Sequence, residues 1–284
     1  MSLHVVRHHD PDTFITAAEP LLARNPAVRA FVSMWAAGWR DASDADGPLV
    51  TYAATCSDGE RHGLALKREG PLVIENSDAE AAAAIAEDLI RTGMVVDHVL
   101  GERAGCEAFA EVWQARLRRG HDVAMHLRHH MLTELHPPAA TPGAMRPARD
   151  DDLLWLVEHS LLFAREARLP DRAEHVVALV ERRHAQRRFR IWDAGARVAF
   201  AASVDAGVLD GRIGVVYTVP EHRRRGYAAA LVASVVREQL QAGRQRLFLT
   251  TDVANPTSNA IYARLGFKPV SDAYRFDFLP ATAP

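Results

Sequence analysis

One short segment constrains the fold of this chain more than any other, a basic loop between an apolar strand and a long helix. Ile213–Val219 predicts the strand, Pro220 ends it, and Ala228–Gln241 predicts the helix. Such a loop aims several unpaired backbone N–H groups at one point, at the positive end of the helix dipole, and so predicts a phosphate-binding site. The structural alternative is a solvated basic loop ahead of an amphipathic helix. The loop consists of Arg223, Arg224, Arg225, Gly226, Tyr227 and Ala228.

Length and charge narrow the class of protein. At 284 residues the chain exceeds the usual size of one domain, so two domains of about 140 residues each are expected. The formal net charge is −2, whereas a protein that coats nucleic acid or an anionic membrane needs a basic surplus. We therefore expect neither a nucleic-acid partner nor a membrane partner.

The number of cysteines and the positions of the histidines predict a cytoplasmic location and no bound metal. Only Cys56 and Cys106 are present, too few for a disulfide framework, which fits a reducing cytosol. The first residues contain no apolar signal region, and the longest apolar run, Ala228–Val236, is half a membrane span. His129 and His130 are neighbours on a predicted strand and face opposite sides, so they do not converge on a metal. A cytoplasmic protein without a metal is expected.

A proline-rich segment separates the two halves. Pro137, Pro138, Pro142 and Gly143 stand within residues 136–143, which cannot continue a helix or a central strand. The domain boundary is therefore expected here, with a first domain of residues 1–136 and a second domain of residues 144–284.

The second domain is predicted to contain, in order, a strand, two helices, three strands, a helix, a strand, a helix and a strand. The ranges are the strand Ala144–Pro147, helices over 150–163 and Arg172–Gln186, strands Phe189–Trp192, Val198–Val204 and Ile213–Val219, the helix Ala228–Gln241, the strand Leu247–Thr250, a helix from Asn255 to near Gly266, and the strand Tyr274–Leu279.

The first domain repeats nearly the same order, which suggests two copies of one fold. Its predicted elements are the strand Leu3–Arg7, helices Asp12–Arg24 and Ala27–Gly38, strands Leu49–Thr55, Gly63–Lys67 and Pro71–Glu75, the helix Asp78–Thr92, the strand Val95–Leu100, the helix Gly105–Leu117 and the strand Val123–Leu135. Before its long helix this copy has no arginine–glycine loop, and Asp78 and Glu80 would repel an anionic cofactor. The first domain is thus expected to be a degenerate copy that binds no such cofactor. It is expected to pack against the second domain and to shape the cleft for the second substrate, the acceptor.

The second domain resembles the GNAT superfamily of acyl-coenzyme A N-acyltransferases, and among them a group of bacterial acetyltransferases. Arg223, Gly226 and Ala228 match the family loop, which has Gln or Arg, two residues, Gly, one residue, then Gly or Ala. The segment Asn255–Phe267 and the helix region around Glu166 add to the match. The resemblance covers about half of the chain and implies an α/β fold. More narrowly, it is an α+β fold. The chain is expected to contain two such domains in tandem, each with a mixed, mostly antiparallel sheet flanked by helices.

The resemblance implies acetyl-CoA as the cosubstrate. In the family an asparagine after the fifth strand contacts the pantetheine arm, and Asn255 matches it. The residues implied in cofactor binding are Tyr217, Thr218, Val219, Arg223, Arg224, Arg225, Gly226, Tyr227, Ala228, Ala229, Asn255 and Ser258.

The family mechanism is direct attack of a neutral amine on the thioester. It implies an oxyanion donor at a backbone N–H near Val219, and Tyr262 as the acid that protonates the leaving sulfur. The alternative for Tyr262 is a half-buried tyrosine that packs on the sheet. The general base stays open between Glu166, Tyr217, Asp252 and a water relay, because the motif strand Ile213–Val219 contains no carboxylate.

The expected function is acetylation of an amine on a small molecule or amino acid. Two alternatives stay open: an acetyltransferase for protein lysines or N-termini, and a non-catalytic sensor that binds coenzyme A. A homodimer is compatible with the sequence. Acceptor residues come from variable loops, so neither the acceptor nor the length of the acyl chain follows from the sequence.

Overall fold

A computed structural model of the chain describes residues 3–40, 50–56, 61–67, 70–75, 77–206 and 208–280. The elements follow in this order: β1 (Leu3–His8), α1 (Pro11–Leu22), α2 (Pro26–Arg40), β2 (Val50–Cys56), β3 (Arg61–Lys67), β4 (Leu72–Glu75), α3 (Ala79–Arg91), β5 (His98–Gly101), α4 (Arg103–Leu117), β6 (His121–Leu132), β7 (Ala144–Pro147), α5 (Leu153–Glu166), α6 (Ala173–Ala185), β8 (Phe189–Asp193), β9 (Arg197–Asp205), β10 (Asp210–Thr218), α7 (Tyr227–Gln241), β11 (Arg246–Asp252), α8 (Pro256–Arg264) and β12 (Phe267–Phe278). Short 3-10 turns precede α5 and α7. Leu49, predicted to begin a strand, lies outside the described residues.

Packing divides the chain into two compact units. The first unit comprises Met1–Arg128 with Ser271–Pro284, and the second comprises His129–Val270. This division differs from the expected boundary at residues 136–143 because two long strands, β6 and β12, each begin in one unit and end in the other. The prediction that Tyr274–Leu279 closes the second domain is wrong: Tyr274 lies opposite Gly101 of β5, in the first unit.

The first unit is a mixed sheet covered by helices on both faces. Its strands follow the order β1-β2-β3-β4-β5-β12, in which only β4 and β5 pair in parallel. Helices α1 and α2 bury Phe14, Leu21 and Val32 against one face. Helices α3 and α4 bury Ile85 and Trp113 against the other. The predicted sheet-and-helix order of this half is therefore present.

The second unit repeats this arrangement. Its strands follow the order β11-β10-β9-β8-β7, with β10 and β11 parallel and the others antiparallel. Helices α5 and α6 pack on one face over Phe200 and Tyr217. Helices α7 and α8 pack on the other face over Ile213, Leu247 and Leu249. We call these the α5 face and the α7 face.

A buried carboxylate anchors the start of α5. The side chain of Asp152 is only 1% exposed, and Arg146 donates to both of its oxygens at 2.7 and 3.1 Å. Burial raises the pKa of Asp152, but the hydrogen bonds from Arg146 and from the Arg149 N–H outweigh it and hold the pKa at about 2. This ion pair fixes α5 across the sheet, and α5 continues to Glu166, which it carries in its last turn.

None of the described helices is long and apolar enough to span a bilayer.

Candidate functional site

The centre of the candidate site is the place where β10 and β11 separate. The two strands pair in parallel only from Asp210 with Arg246 to Arg212 with Phe248. Beyond Arg212 the structure records no further pairing between their described residues, although β10 continues to Thr218. A bulge lies between Gly214 and Tyr217 where β10 pairs with β9. We call the opening between the separated ends the β10–β11 cleft.

The bulge sets the direction of the β10 backbone. Val215 has a φ of +51°, an unusual value for a β-branched residue. The N–H of Val219 donates to Val198 O of β9 at 3.0 Å, so this group itself is not an open donor. Because backbone N–H groups alternate in direction along the regular pairs that follow the bulge, that of Thr218 points away from β9, toward the side of the β10–β11 cleft.

The predicted phosphate loop ends at an open helix terminus. Gly226 is the N-cap of α7, has a φ of +83°, and no side chain caps the helix. Ala230 N–H bonds to Gly226 O, which leaves the N–H groups of the first turn, Tyr227 to Ala229, without a hydrogen bond in the described part of the chain. The nearby side chain of Arg225 is exposed and has no ion pair there. These N–H groups, the helix dipole and the cation together favour an anion.

Arg223 belongs to a different cluster. Its Nε donates to Thr218 O at 3.0 Å, and one terminal nitrogen donates to both Glu166 oxygens at 3.0 and 2.8 Å. Its guanidinium also lies over the Tyr217 ring, 5.2 Å from the centroid. The structure thus brings Glu166, Tyr217 and Arg223 together, as a clamp between the end of α5 and the phosphate loop.

Tyr217 completes the clamp from the α5 face. Its hydroxyl donates to Glu166 Oε1 at 3.0 Å, and only 4% of the residue is exposed. Burial, and then the hydrogen bond to Glu166, raise the pKa of Tyr217. Tyr217 therefore stays protonated as a donor to Glu166 at neutral pH.

Tyr262 lies on the other side of the sheet, in the core of the α7 face with Tyr227. It is 7% exposed, and burial raises its pKa. Its ring meets Phe267 edge-on at 6.0 Å. Within the described residues its hydroxyl makes no hydrogen bond, yet the oxygen is not among the fully buried unpaired atoms. The residue combines a packed ring with an available, protonated hydroxyl.

The residues at the start of α8 are held mainly by one another. Asn255 is the N-cap, and its side-chain oxygen accepts from the Ser258 N–H at 3.1 Å. Asn259 donates to the Asp252 and Val253 carbonyls, both at 3.1 Å, and so ties α8 to the end of β11. Asp252 accepts from the Ala254 N–H at 2.8 Å. Asn255 and Ser258 therefore lie together, and the amide N–H₂ of Asn255 makes no hydrogen bond within the described residues.

The first unit lacks these features at the corresponding place. Its parallel strands β4 and β5 stay paired as far as Ile74 with Gly101, at their ends. Ser77 Oγ bonds to the backbone of Leu64, at 3.2 Å from its nitrogen. Asp78 caps α3 by accepting from the Ala81 N–H at 2.8 Å. The site of an anion is therefore filled by a carboxylate of the chain itself.

Sequence reasoning missed several parts of the site. Neither the bulge at Val215 nor the salt bridge between Glu166 and Arg223 leaves a local signal. Two buried polar atoms beside the loop, Thr218 Oγ1 and His222 Nδ1, have no hydrogen-bond partner in the described chain. Thr218 was predicted as a site residue, whereas His222 was not.

Comparison with known families gives one match. Residues 199–276, from β9 into β12, match the family model described as FR47-like protein. This range contains the β10 bulge, the phosphate loop and Tyr262. No curated protein matches the sequence.

Solved structures match over almost the whole length. A Drosophila protein is 14% identical with a TM-score of 0.72, over 98% of this chain and 99% of its own. A GCN5-related N-acetyltransferase from Sphaerobacter thermophilus is 16% identical with a TM-score of 0.59, over 98% and 97%. A tandem GNAT protein from the clavulanic acid biosynthesis pathway is 15% identical with a TM-score of 0.58, over 100% of both chains. The fold is therefore that of a tandem GNAT protein.

The backbone of Arg224 generates a stability prediction. Its φ is +63°, a left-handed conformation that costs a non-glycine residue about 1–2 kcal/mol. Replacing it with glycine removes this strain but adds about 0.4–1 kcal/mol of unfolded-state entropy. Arg224→Gly is therefore expected to raise the free energy of unfolding by about 0.5–1 kcal/mol, measured by urea denaturation.

Arg225→Gly is the matched control, because Arg225 is not among the residues with positive φ. It removes the same charge and should lower the free energy of unfolding. Equal stabilities for the two variants would contradict the strain at Arg224.

Proposed function

We propose that this chain, which has the tandem GNAT fold, transfers an acetyl group from acetyl-CoA to an amine of a small molecule or amino acid. The observation that carries the proposal is the separation of β10 from β11 beside the open N-terminus of α7. A cleft between two strands accommodates an extended arm, and the helix terminus accommodates its diphosphate. The FR47-like match over residues 199–276 supports the same assignment.

The cofactor would lie along these two features. The N–H groups of Tyr227, Ala228 and Ala229 would bind the diphosphate, with Arg224 and Arg225 supplying positive charge. Thr218 and Val219 would line the route from the diphosphate to the β10–β11 cleft. Asn255 would offer its amide N–H₂ to the pantetheine arm, while Ser258 holds that side chain in place.

The thioester carbonyl would meet the bulge. An N–H of β10 that faces the β10–β11 cleft stabilises negative charge on the carbonyl oxygen as the amine attacks. Thr218 is a residue whose N–H group would have this direction. Val219 is excluded because its own N–H is bonded to β9.

Tyr262 would act as the acid. The attacking nitrogen forms a bond to the acetyl carbon, the carbon–sulfur bond breaks, and the sulfur takes the proton of the Tyr262 hydroxyl. The tyrosinate regains a proton from solvent water, which receives the proton that the amine loses. Because burial raises the pKa of Tyr262, the hydroxyl is protonated before the reaction and the tyrosinate is reprotonated readily afterwards.

The base would be water rather than a side chain. Glu166 is paired with Arg223 and accepts from Tyr217, and Asp252 accepts from a neighbouring backbone N–H. Each is already engaged in holding the chain. The amine would therefore lose its proton to solvent water, and Glu166 and Tyr217 would orient the phosphate loop.

The first unit would bind no coenzyme A. Its strands β4 and β5 leave no cleft at their ends, and Asp78 occupies the helix terminus with negative charge.

Thiol release tests the proposed activity. The purified chain with acetyl-CoA should liberate free coenzyme A only when an amine is added, measured with a thiol reagent across a panel of small amines and amino acids. Acetylation confined to lysines or N-termini of peptides would instead identify a protein acetyltransferase. Binding of acetyl-CoA without turnover on either panel would identify a sensor.

Calorimetry tests the number of cofactor sites. One molecule of coenzyme A per chain is expected, and Gly226→Ala should abolish binding because φ is +83° and an added Cβ would lie 3.0 Å from Thr141. Gly195→Ala is the matched control, since φ is +84° there with nothing within 4 Å. Two sites per chain, or binding by Gly226→Ala, would refute this assignment.

Tyr262→Phe tests the acid. We expect kcat to fall roughly 100-fold, since a positioned proton donor contributes about that much, while the KM for acetyl-CoA stays unchanged. Tyr274→Phe is the control, because it removes a tyrosine hydroxyl of the first unit, which is assigned no part in the chemistry, and it should leave kcat intact. Near-normal turnover by Tyr262→Phe at saturating amine would remove this residue from the mechanism.

A further inference from the structure

The proline-rich segment 136–143 is part of the second unit rather than a free linker. At one end the His136 N–H donates to Leu265 O at 3.1 Å. At the other end Trp192 Nε1 donates to Pro142 O at 2.8 Å. Gly143 follows with a φ of +97°. We call residues 136–143 the crossing segment, because it runs from the end of α8 to β7.

The crossing segment passes the N-terminus of α7. A Cβ added to Gly226, the N-cap, would lie 3.0 Å from Thr141 Oγ1 and 4.0 Å from Thr141 Cγ2. Apart from Gly226 and its two chain neighbours, no other residue of the described chain has an atom within 4 Å of that position. The Thr141 hydroxyl therefore lies beside the loop residue where the open N–H groups of α7 begin.

The hydroxyl is free to act as a donor there. Thr141 is only partly buried, and its hydroxyl now donates to Ala139 O at 3.1 Å, within the crossing segment. Rotation about one side-chain bond redirects that proton. A phosphate oxygen at the helix terminus carries negative charge and is a stronger acceptor than a neutral carbonyl.

The crossing segment leaves the helix terminus open. Thr141 approaches the Cβ side of Gly226, whereas the N–H groups of Tyr227 to Ala229 have no hydrogen bond in the described chain. Three prolines fix φ at their positions and so restrict the backbone conformation of the segment beside the loop. The crossing segment thus lies beside the helix terminus without blocking it, and we call it a wall of the site in this sense.

We propose that Thr141 is a ligand of the cofactor: its hydroxyl donates a hydrogen bond to a diphosphate oxygen of coenzyme A, and the crossing segment forms one wall of the cofactor site. This inference rests on the proposed function. It adds to the site a residue that lies far from the family loop in sequence, on the connection between the two halves of the chain.

Calorimetry with coenzyme A on the full chain tests this wall. Thr141→Val keeps the shape of the side chain but removes the donor, so affinity should fall about tenfold, as expected for a hydrogen bond to a charged group. Thr141→Ser should bind within about twofold of the wild type, because it retains the hydroxyl. Thr257→Val is the control, since Thr257 is an exposed threonine in the first turn of α8.

Turnover separates binding from chemistry. Thr141→Val should raise the KM for acetyl-CoA by the same factor and leave kcat unchanged, with the melting temperature as a check of folding. Wild-type affinity in Thr141→Val would overturn the proposed contact while leaving the proposed function intact. Tighter binding would also overturn it, because the segment would then obstruct the site. Failure of the wild type to bind coenzyme A would instead refute the proposed function itself.

Discussion

The candidate site depends on one interruption of backbone pairing. Parallel strands β10 and β11 stop pairing after Arg212 and Phe248, and the released backbone of β10 has polar groups that need new partners. The bulge at Val215 keeps β10 attached to β9 on its other edge while changing the direction of its backbone. The outcome is an opening lined by main-chain donors, at the point where the strand turns into the loop before α7. Side chains play a secondary part there, because the N–H groups themselves make the polar surface.

The two units show what this interruption requires, since they share a fold and differ at this place. Among the described residues of the first unit, β4 and β5 pair as far as Ile74 with Gly101, and β3 pairs with β4 without a recorded bulge. Its helix α3 begins with Asp78, whose carboxylate accepts from the Ala81 N–H. An aspartate N-cap typically stabilises a helix by a few tenths of a kcal/mol, roughly 0.3, relative to a glycine N-cap. In the second unit Gly226 gives up that stabilisation, and the N–H groups of α7 stay available. The N-cap position thus stabilises the helix in the first unit, whereas in the second unit it leaves the N–H groups of the helix open.

Much of this architecture could be predicted from the sequence, because helices and strands of this chain follow apolar periodicity. The element order of both halves, the strand–loop–helix around Gly226, and the lack of such a loop in the first half all depend on local residues. What the sequence does not contain is long-range pairing. The boundaries between the units fall within β6 and β12. The proline-rich segment interrupts secondary structure as predicted, but packing does not divide the chain there. The salt bridge between Glu166 and Arg223 joins residues 57 positions apart, and neither residue type identifies its partner.

The Glu166 clamp also explains why Arg223, although it belongs to the basic loop, is engaged by the chain itself. With side chains 42% and 46% exposed, the Arg223–Glu166 pair lies in solvent that screens it, and such pairs contribute at most about 1 kcal/mol to stability. The ion pair therefore matters mainly because it positions the loop. Arg223 holds the Thr218 carbonyl and the end of α5 at once, so the loop leaves β10 at one angle and Gly226 reaches the start of α7 in the left-handed conformation. Because Glu166 ends the helix that Asp152 anchors at its start, the same contact ties the α5 face to the phosphate loop. A displacement of the C-terminal end of α5 would therefore be transmitted to Arg223 and to the loop before α7.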